Sequence, residues 1–408
     1  MKRVVVSGIG ALSPLGPDFS AGCANLIHGE SGIGFLDSGE FRGLSCRIGG
    51  KIPGYNPHAY LTSKEINRWD PFIHYAVSAV HMALEDAGLD PSALKRALAP
   101  GIILGSSRGG IISLEQNVSR DISGRKHSAY LMPASTVYMA TGAAAMKFKL
   151  HGPSLGISTA CSSGSHAIGE AFRWLQRGET DMVIAGGTEA PLCRLAVGGY
   201  AASGALSRRN SEPARASRPF DRDRDGFVIS EGAAVLVLEN LDSALKRSAG
   251  IYGEIAGFGN TTDAAHETRP RRSGAVEAML AALRDAGIPP EEIGFINAHG
   301  TSTRLGDRIE AEAIIDVFGA AALKIPVTAN KSMTGHLLGA SGALEAAFTI
   351  MSLKEGVIPP TINLADPEFD LLFAREKAMP VEASAAISNS FGFGGANAVL
   401  AFRKYEQK

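Results

Sequence analysis

Short apolar runs alternate along the chain with segments in which apolar residues recur at helical spacing. The apolar runs predict buried strands at residues 4–6, 102–104, 182–185, 235–238, 294–297, 327–329 and 398–402. The helical spacing predicts helices at residues 73–87, 165–177, 276–286, 308–318 and 343–354. Strands that alternate with helices in this way are typical of an α/β fold with buried sheets.

An internal repeat indicates that the chain consists of two similar halves. Segment 161–164 (Cys-Ser-Ser-Gly) and segment 339–342 (Gly-Ala-Ser-Gly) each precede a predicted helix that ends at a glycine, and both features repeat after 178 residues. A chain of 408 residues also exceeds the roughly 250–300 residues at which a single hydrophobic core stops growing. We therefore expect two halves, residues 1–245 and 246–408.

Composition and charge narrow the classes of protein and partner. Hydrophobic residues make up 45% of the chain and charged residues 20%, which is enough apolar material for a large core. A net charge of −1 gives no bulk attraction to nucleic acid or to an anionic membrane. Four cysteines are too few for a disulfide framework, and the sequence contains no recognisable export signal or membrane-spanning helix. We expect a cytoplasmic protein that binds neither membranes nor nucleic acid.

Cys161 is the candidate nucleophile. It lies in a turn of small residues between the end of a predicted strand and the start of a predicted helix. The positive end of the helix dipole and the unpaired N–H groups of the first turn favour the thiolate, which is the nucleophilic form. A buried, inert cysteine is the alternative that the residue type alone favours, but the position in a turn indicates the reactive role.

Two histidines occupy similar positions after strands. His299 lies in segment 297–303 (Asn-Ala-His-Gly-Thr-Ser-Thr), and His336 ends segment 331–336 (Lys-Ser-Met-Thr-Gly-His). Active sites of parallel sheets form where strands end, so we expect both histidines and Cys161 in one site. Such a set supports thiolate attack, followed by stabilisation of an enolate by two imidazole N–H donors. A zinc site is the rival interpretation, but separations of 138 and 37 residues match no compact metal motif.

Three further loops admit a structural and a functional interpretation. Gly8 and Gly10 form an incomplete dinucleotide-binding motif, and a strand-ending turn explains them better. Residues 207–226 are rich in Arg and Asp, and we expect them to form a solvated loop of mixed charge. Residues 390–397 (Ser-Phe-Gly-Phe-Gly-Gly-Ala-Asn) are either a tight turn between strands or a loop whose backbone approaches a reacting centre, with an aromatic gate.

Taken together, the motifs resemble those of the β-ketoacyl-acyl-carrier-protein synthase II-like condensing enzymes, a ketosynthase family with the thiolase fold. The resemblance runs from residue 4 to residue 402 and rests on segments 159–164, 225–228, 297–303, 331–336, 359–363 and 389–395. It implies an α/β, thiolase-like fold in which two pseudo-repeated βαβαβ-type halves are stacked in layers. It also implies decarboxylative Claisen condensation of an acyl thioester with malonyl-acyl carrier protein, which gives 3-oxoacyl-acyl carrier protein in fatty-acid elongation.

The resemblance also implies roles for individual residues. Cys161 would accept the acyl chain as a thioester, with the N–H groups of Cys161 and Phe393 as its oxyanion hole. His299 and His336 would hold the malonyl thioester carbonyl, supported by Lys331 and Glu345. The other positions carried over are Gly392 and Gly394 beside the Phe393 gate, Thr301 and Thr303 at the pantetheine arm, and Arg108 and Phe227 at the acyl pocket. No metal, nucleotide or other cofactor is required.

The resemblance implies two kinds of protein partner, an acyl carrier protein and a second subunit. The family is usually homodimeric, and a heterodimer with a related subunit is the alternative. Gly204 stands where some members carry a basic carrier-docking residue, so docking must use other cations. The docking candidates are Lys64, Arg68, Arg125 and Lys126, with Arg208 and Arg209 as further candidates.

Arg108 departs from the family pattern, because an apolar or small residue usually lies there, at the far end of the acyl pocket. An unpaired guanidinium beside an alkyl chain is unfavourable. Either the pocket is shorter than usual or suited to polar or unsaturated chains, or Arg108 turns away and pairs with an acid such as Glu115 or one from the partner subunit.

The reactive residues distinguish the implied condensing activity from the activities of related proteins. A thiolase needs a second cysteine in the C-terminal half, and no cysteine follows Cys193. A starter synthase that uses one His and one Asn would not offer both His299 and His336, and a chain-length partner subunit lacks the nucleophile that Cys161 supplies. The motifs leave open whether the chain elongates fatty acids or is the ketosynthase of a type II polyketide or polyene pathway.

Overall fold

Two sets of five strands form the central sheet of the computed structural model, which describes residues 2–36, 39–91 and 99–406. The strands of the first half are β1 (Val4–Leu12), β2 (Ile33–Phe35), β3 (Ile48–Gly50), β4 (Gly101–Gly105), β5 (Ser154–Ile157), β6 (Met182–Glu189) and β7 (Gly232–Asn240). Those of the second half are β8 (Gly253–Thr262), β9 (Ile293–Asn297), β10 (Val327–Thr328), β11 (Val357–Ile358), β12 (Met379–Pro380), β13 (Ala385–Gly392) and β14 (Ala396–Arg403). The pairs β2–β3 and β11–β12 are separate from the main sheet.

The strand order of the main sheet repeats. The order is β10-β9-β13-β14-β8-β1-β7-β6-β4-β5. In the first half β7 is antiparallel to β1 and to β6, whereas β6, β4 and β5 are parallel. In the second half β14 is antiparallel to β8 and to β13, whereas β13, β9 and β10 are parallel. The antiparallel pair β1–β8 joins the two sets, so the sheet has the repetition that the sequence predicts.

The five predicted helices are all present, with ends that differ by a few residues from the predicted ones. The helices are α1 (Phe19–His28), α2 (Ser63–Arg68), α3 (Pro71–Asp86), α4 (Ile111–Ile122), α5 (Leu131–Ser135), α6 (Met139–Phe148), α7 (Ser163–Arg177), α8 (Arg194–Ala202), α9 (Leu241–Lys246), α10 (Arg272–Ala286), α11 (Arg304–Phe318), α12 (Lys331–Thr334) and α13 (Ser341–Glu355). In the described part of the chain, no helix is long and apolar enough to cross a membrane.

The helices α7 and α13 form a central layer between the two halves of the sheet. One core packs Phe172 of α7 and Phe348 of α13 against strand residues from both halves, such as Val183 and Leu400. A second core packs α3 on the outside of the first half, and a third packs α10 and α11 on the outside of the second. The result is a stack of helix, sheet, helix, sheet and helix layers, as the resemblance implies.

Glycines let the outer helices approach the strands closely, and they correct one expectation. Gly8 and Gly10 lie inside β1 and not in a strand-ending turn, so that interpretation is wrong. A Cβ at either position would meet a backbone oxygen of α3. Gly257 and Gly259 do the same in β8 against α10. These glycines weaken the hydrophobic pattern of β8, which explains why the sequence did not predict that strand.

Residues 207–226 are not the solvated loop that their charges suggest. Arg224 is fully buried, and its Nε lies 3.5 Å from an Asp307 carboxylate oxygen. The same guanidinium is paired with Glu368 and donates to the backbone oxygen of Thr303 at 3.1 Å. The loop is therefore tied to the segment that follows His299.

Candidate active site

Cys161 lies at a sharp turn between strand β5 and helix α7. A single helical turn, Ala160–Ser162, leads from the strand into the helix, and Ala160 has a positive φ of 52°. The hydroxyl of Ser163 accepts from the Thr159 N–H at 2.9 Å and donates to the Ala160 oxygen at 2.7 Å. These bonds hold the thiol at the start of α7, where the sequence predicted it.

The surroundings of Cys161 act against the thiolate that its position at a helix start favours. Burial raises the pKa of the Cys161 thiol to about 11, and the charge of Lys331 and the N–H of Phe393 only partly oppose this rise. The side chain is 7% exposed, and this loss of hydration outweighs the opposing contributions of Lys331 and Phe393. At neutral pH the resting side chain is the thiol.

His299 is held from both sides of its loop. Its N–H and that of Gly300 donate to the Glu310 carboxylate at 2.7 and 2.8 Å. The Nζ of Lys331 donates to the His299 backbone oxygen at 2.7 Å and lies 3.3 Å from Nδ1. Because an ammonium group has only protons to offer, Nδ1 accepts and the ring proton lies on Nε2. Glu345 is paired with the same ammonium group, as expected for a residue that supports the histidine.

His336 lies beside His299. The ring centroids are 5.5 Å apart and the ring planes are nearly perpendicular, at 86°. The Nδ1 of His336 is 2.8 Å from the Ser341 hydroxyl, and Nε2 is buried without a protein partner in the described part of the chain. Burial lowers the pKa of both imidazoles, and the charge of Lys331 lowers each further. Both rings are therefore neutral at physiological pH.

One cavity of about 430 Å³ brings the three reactive side chains together. Its wall includes Cys161, His299 and His336, so the structure brings together the three side chains that we expected in one site. The other predicted residues in the wall are Phe227, Thr301, Thr303, Gly392 and Phe393. Lys331 and Glu345 are buried behind His299, and Gly394 is exposed at the tip of the β13–β14 turn.

The turn between β13 and β14 has both properties that the sequence left open. It joins two antiparallel strands, and its backbone also reaches the nucleophile, because the Phe393 N–H bonds to the Cys161 thiol. Gly394 has a φ of 81°, which glycine adopts without strain, and its N–H donates to the Glu267 oxygen at 2.8 Å. The half-buried Phe393 ring therefore lies on a turn whose backbone is bonded to Cys161 at Phe393, to Glu267 at Gly394 and to Asp263 at Gly395.

Arg108 does not pair with Glu115. Its N–H donates to the Glu189 carboxylate at 2.9 Å, its Nε donates to the Ser107 hydroxyl at 3.2 Å, and its guanidinium lies 5.9 Å from the centre of the Tyr200 ring. Glu115 accepts instead from the N–H of Leu195. None of the ion pairs among the described residues includes Arg108, whose side chain is exposed in the single chain.

The four docking candidates lie away from the cavity wall. Lys64 and Arg68 are on α2, where Arg68 stacks over the Tyr130 ring at 4.7 Å, and Arg125 and Lys126 are exposed after α4. Sequence reasoning missed three exposed arginines that belong to the wall, namely Arg269, Arg271 and Arg304. The basic run at residues 268–272 (Thr-Arg-Pro-Arg-Arg) was the signal that could have identified two of them.

Glu310, which sequence reasoning also missed, holds the His299 loop and accepts from the Asn389 amide at 3.0 Å. Within α11 such a carboxylate has no distinctive sequence motif. Across residues 2–36, 39–91 and 99–406, no cluster of three His, Cys, Asp or Glu side chains could hold a metal ion.

The layered fold and this cavity define an acyl-transferring enzyme of the thiolase-fold ketosynthases. The family described as "Beta-ketoacyl synthase, N-terminal domain" matches residues 1–244, and "Beta-ketoacyl synthase, C-terminal domain" matches residues 252–365. The chain therefore belongs to the beta-ketoacyl synthase family. It is 44% identical to 3-oxoacyl-[acyl-carrier-protein] synthase 2 of Synechocystis, over 99% of each chain.

Two solved structures are also similar over nearly the whole chain. The ishigamide ketosynthase/chain length factor has a TM-score of 0.93 and 33% identity, and covers 99% of this chain and 100% of its own. A type II polyketide ketosynthase bound to the hexaketide, in complex with its acyl carrier protein, has a TM-score of 0.90 and 30% identity, with the same coverage. The fold is thus shared by ketosynthases of more than one kind of pathway.

Proposed function

We propose that the protein condenses an acyl thioester with malonyl-acyl carrier protein, with loss of carbon dioxide, to give 3-oxoacyl-acyl carrier protein in cytoplasmic fatty-acid elongation. One observation carries the proposal: a buried thiol and two neutral imidazoles share one cavity, with Nδ1 of His299 beside Lys331 and Nδ1 of His336 beside Ser341. The relatives named 3-oxoacyl-[acyl-carrier-protein] synthase 2 support the choice of reaction. We assign the nucleophile to residues 1–245 and the two histidines to residues 246–408.

The first half-reaction transfers the acyl group to Cys161. The sulfur attacks the thioester carbonyl, the bond to the carrier sulfur breaks, and the carrier leaves as a thiol with the proton that Cys161 gives up. The N–H groups of Cys161 and Phe393 would stabilise the negative oxygen of the intermediate, and the bond of the Phe393 N–H to the Cys161 thiol supports this role. Because the resting Cys161 side chain is a protonated thiol, the bound acyl substrate must promote the loss of its proton.

The second half-reaction uses the histidines. The malonyl carboxylate leaves as carbon dioxide, and the electron pair that remains gives an enolate of the thioester. The Nε2–H groups of His299 and His336 donate to that enolate oxygen in a site with little water, where such bonds are strongest. The enolate carbon then attacks the acyl-Cys161 carbonyl and releases the cysteine sulfur as a thiolate, which takes a proton from water to restore the resting thiol.

The carrier arm enters through the cavity mouth. The hydroxyls of Thr301 and Thr303 lie 3.0 Å apart on the wall and suit the amides of a pantetheine chain. The exposed Arg269, Arg271 and Arg304 give the mouth a positive lining that favours an acidic carrier. Lys64, Arg68, Arg125 and Lys126 would contact the carrier further out.

A second subunit would cover an apolar face of the chain. The edge strand β5 and helices α4 to α6 carry exposed apolar side chains, among them Val118, Ile122, Met132, Met146 and Leu155. Apolar exposure on this scale marks an interface. We propose a homodimer, with a related subunit as the alternative partner.

A ketosynthase of a type II polyketide or polyene pathway is the second candidate function. It is favoured by Arg108, which has no acidic partner in the described part of the chain, and by the likeness to the ishigamide and polyketide structures. The identity of the products tests both candidate functions. Acyl carrier and malonyl carrier are incubated with the protein, and the carrier-bound products are measured by mass spectrometry over successive rounds. We expect a 3-oxoacyl carrier, and acyl exchange without loss of carbon dioxide would contradict condensation.

A further inference from the structure

The hydroxyl of Ser341 lies directly against one ring nitrogen of His336. Ser341 is the first residue of α13, is 2% exposed, and has its Oγ 2.8 Å from Nδ1 of His336. Within the described chain this is the hydroxyl's only hydrogen bond to a protein atom. The short turn between His336 and Ser341 therefore places the start of α13 against the imidazole of His336.

The other ring nitrogen is the one that faces the cavity. Nε2 of His336 is buried and lacks a partner among the described residues, and His336 is part of the cavity wall. A neutral imidazole carries its proton on one nitrogen only, and the hydrogen bond at the other nitrogen selects which one. The partner of Nδ1 therefore determines whether Nε2 offers a proton or a lone pair to a substrate.

We infer that Ser341 is a positioning residue, whose hydroxyl donates to Nδ1 of His336 and thereby keeps the ring proton on Nε2, where it can bond to the thioester oxygen of the substrate. The inference rests on the proposed function. In the reverse arrangement Nδ1–H would donate to the hydroxyl, and Nε2 would direct a lone pair at an enolate oxygen. That contact is repulsive, so the arrangement cannot stabilise the enolate.

The comparison with His299 strengthens the assignment. There the Nδ1 atom faces the ammonium group of Lys331, which can only donate, so the tautomer is set by a charge. At His336 a neutral hydroxyl takes the same place. Both imidazoles thus have a donor at Nδ1. Only His336 depends on a group, the Ser341 hydroxyl, that can also accept a hydrogen bond.

The internal repeat shows that the contact is not a general requirement of the helix start. Ser163 lies 178 residues before Ser341 and also begins its helix, α7. Its hydroxyl bonds to the backbone of Thr159 and Ala160 and not to a ring. The Ser341–His336 contact therefore belongs to the chemistry of the second half.

Steady-state decarboxylation of a malonyl pantetheine thioester tests the role. Ser341→Ala removes the donor and leaves His336 free to take either tautomer, so kcat should fall about three- to tenfold, the usual value of one hydrogen bond, with KM unchanged. Ser341→Thr keeps the hydroxyl and should restore the rate. Ser352→Ala, which removes a buried hydroxyl from the same helix away from His336, is the matched control. A Ser341→Ala rate equal to the native rate, or an equal loss in Ser352→Ala, would overturn the inference.

Nuclear magnetic resonance of ¹⁵N-histidine-labelled protein gives a readout that does not depend on activity. The His336 signals, identified by their absence in His336→Ala, should show a single Nε2–H tautomer in the native chain and in Ser341→Thr. Ser341→Ala should give a mixture of tautomers. A single Nε2–H tautomer in Ser341→Ala would contradict the inference even if the native protein decarboxylated nothing, whereas that lack of activity would contradict the proposed function alone.

Discussion

The Nζ of Lys331 lies 2.7 Å from the backbone oxygen of His299 and 3.3 Å from Nδ1 of the same residue. One side chain therefore fixes both the loop and the tautomer of a reactive histidine. Glu345 is paired with the same ammonium group and balances its charge in a buried place. The charge of Lys331 therefore lowers the pKa of His299, while Glu345 supplies the opposite charge that stabilises the buried ammonium group.

Replacing Lys331 should damage decarboxylation more than acylation. Lys331→Met, combined with Glu345→Gln so that no carboxylate is left unpaired, removes the group that keeps the proton on Nε2 of His299. We expect decarboxylation to fall about 10²-fold, as when an oxyanion donor is lost, while acylation of Cys161 changes little. Lys324→Gln, at an exposed lysine, is the control. Equal losses in both half-reactions would assign the pair to folding and not to His299.

The raised pKa of Cys161 predicts how alkylation depends on pH. Burial raises that pKa to about 11, so the thiolate fraction, and with it the rate of reaction with iodoacetamide, should rise about tenfold per unit from about pH 7 to pH 10. Burial raises the pKa of Cys23 and of Cys193 to about 12, so both should react more slowly. Peptide mapping identifies the labelled residue, and Cys161→Ser is the control. A plateau below pH 9 would mean that the resting thiol is already activated.

Arg108 is expected to limit the acyl chain. Its guanidinium lies near Tyr200, which belongs to the cavity wall, and no described carboxylate neutralises it. Arg108→Ile should shift the preference toward longer groups in a ladder of saturated acyl carriers, because an alkyl end then meets an apolar side chain. Arg222→Ile, at an exposed arginine, should leave the profile unchanged. An unchanged profile with a weakened dimer would assign Arg108 to the interface.

Carrier docking should be sensitive to salt. Carriers are acidic and the chain is nearly neutral overall, so the attraction must come from local cations. Charge reversal at Lys64 and Arg68, or at Arg125 and Lys126, should raise KM for the carrier substrate but not for a short pantetheine thioester. Added salt should do the same to the native protein. Lys404→Glu is the control for an exposed lysine elsewhere, and equal salt effects on both substrates would exclude a docking patch.

The sequence was sufficient to predict the reactive residues because each follows a strand in a motif of small residues. Cys161 follows β5, His299 follows β9, and His336 lies beyond β10. Strand ends within each half gather at one edge, but β5 runs antiparallel to β9 and β10 across the joined sheet. The two sets of loops meet because the starts of α7 and α13 lie against each other, where a Cβ at Gly164 would meet backbone atoms of Gly339 and Ala343. The repeat of 178 residues likewise predicted the equivalence of α7 and α13.

The features that could not be predicted from the sequence depend on burial and on contacts between distant segments. The pKa of Cys161 follows from its surroundings in the folded chain and not from its helix alone. Arg224 lies in a run of alternating charges that is typical of a surface, yet Asp307 and Glu368 from other segments bury it. The strand β13 was missed because serine and asparagine interrupt its apolar pattern.

The most direct test of the account separates decarboxylation from condensation in one experiment. Cys161→Gln removes the nucleophile and leaves an amide that imitates the acyl thioester, so carbon dioxide should still be released from malonyl carrier while no 3-oxoacyl carrier forms. Adding His336→Ala to this variant should reduce the release about 10²- to 10³-fold, because a donor to the enolate is lost. If Cys161→Gln with His336→Ala releases carbon dioxide as fast as Cys161→Gln alone, the assignment of the histidines to decarboxylation is contradicted.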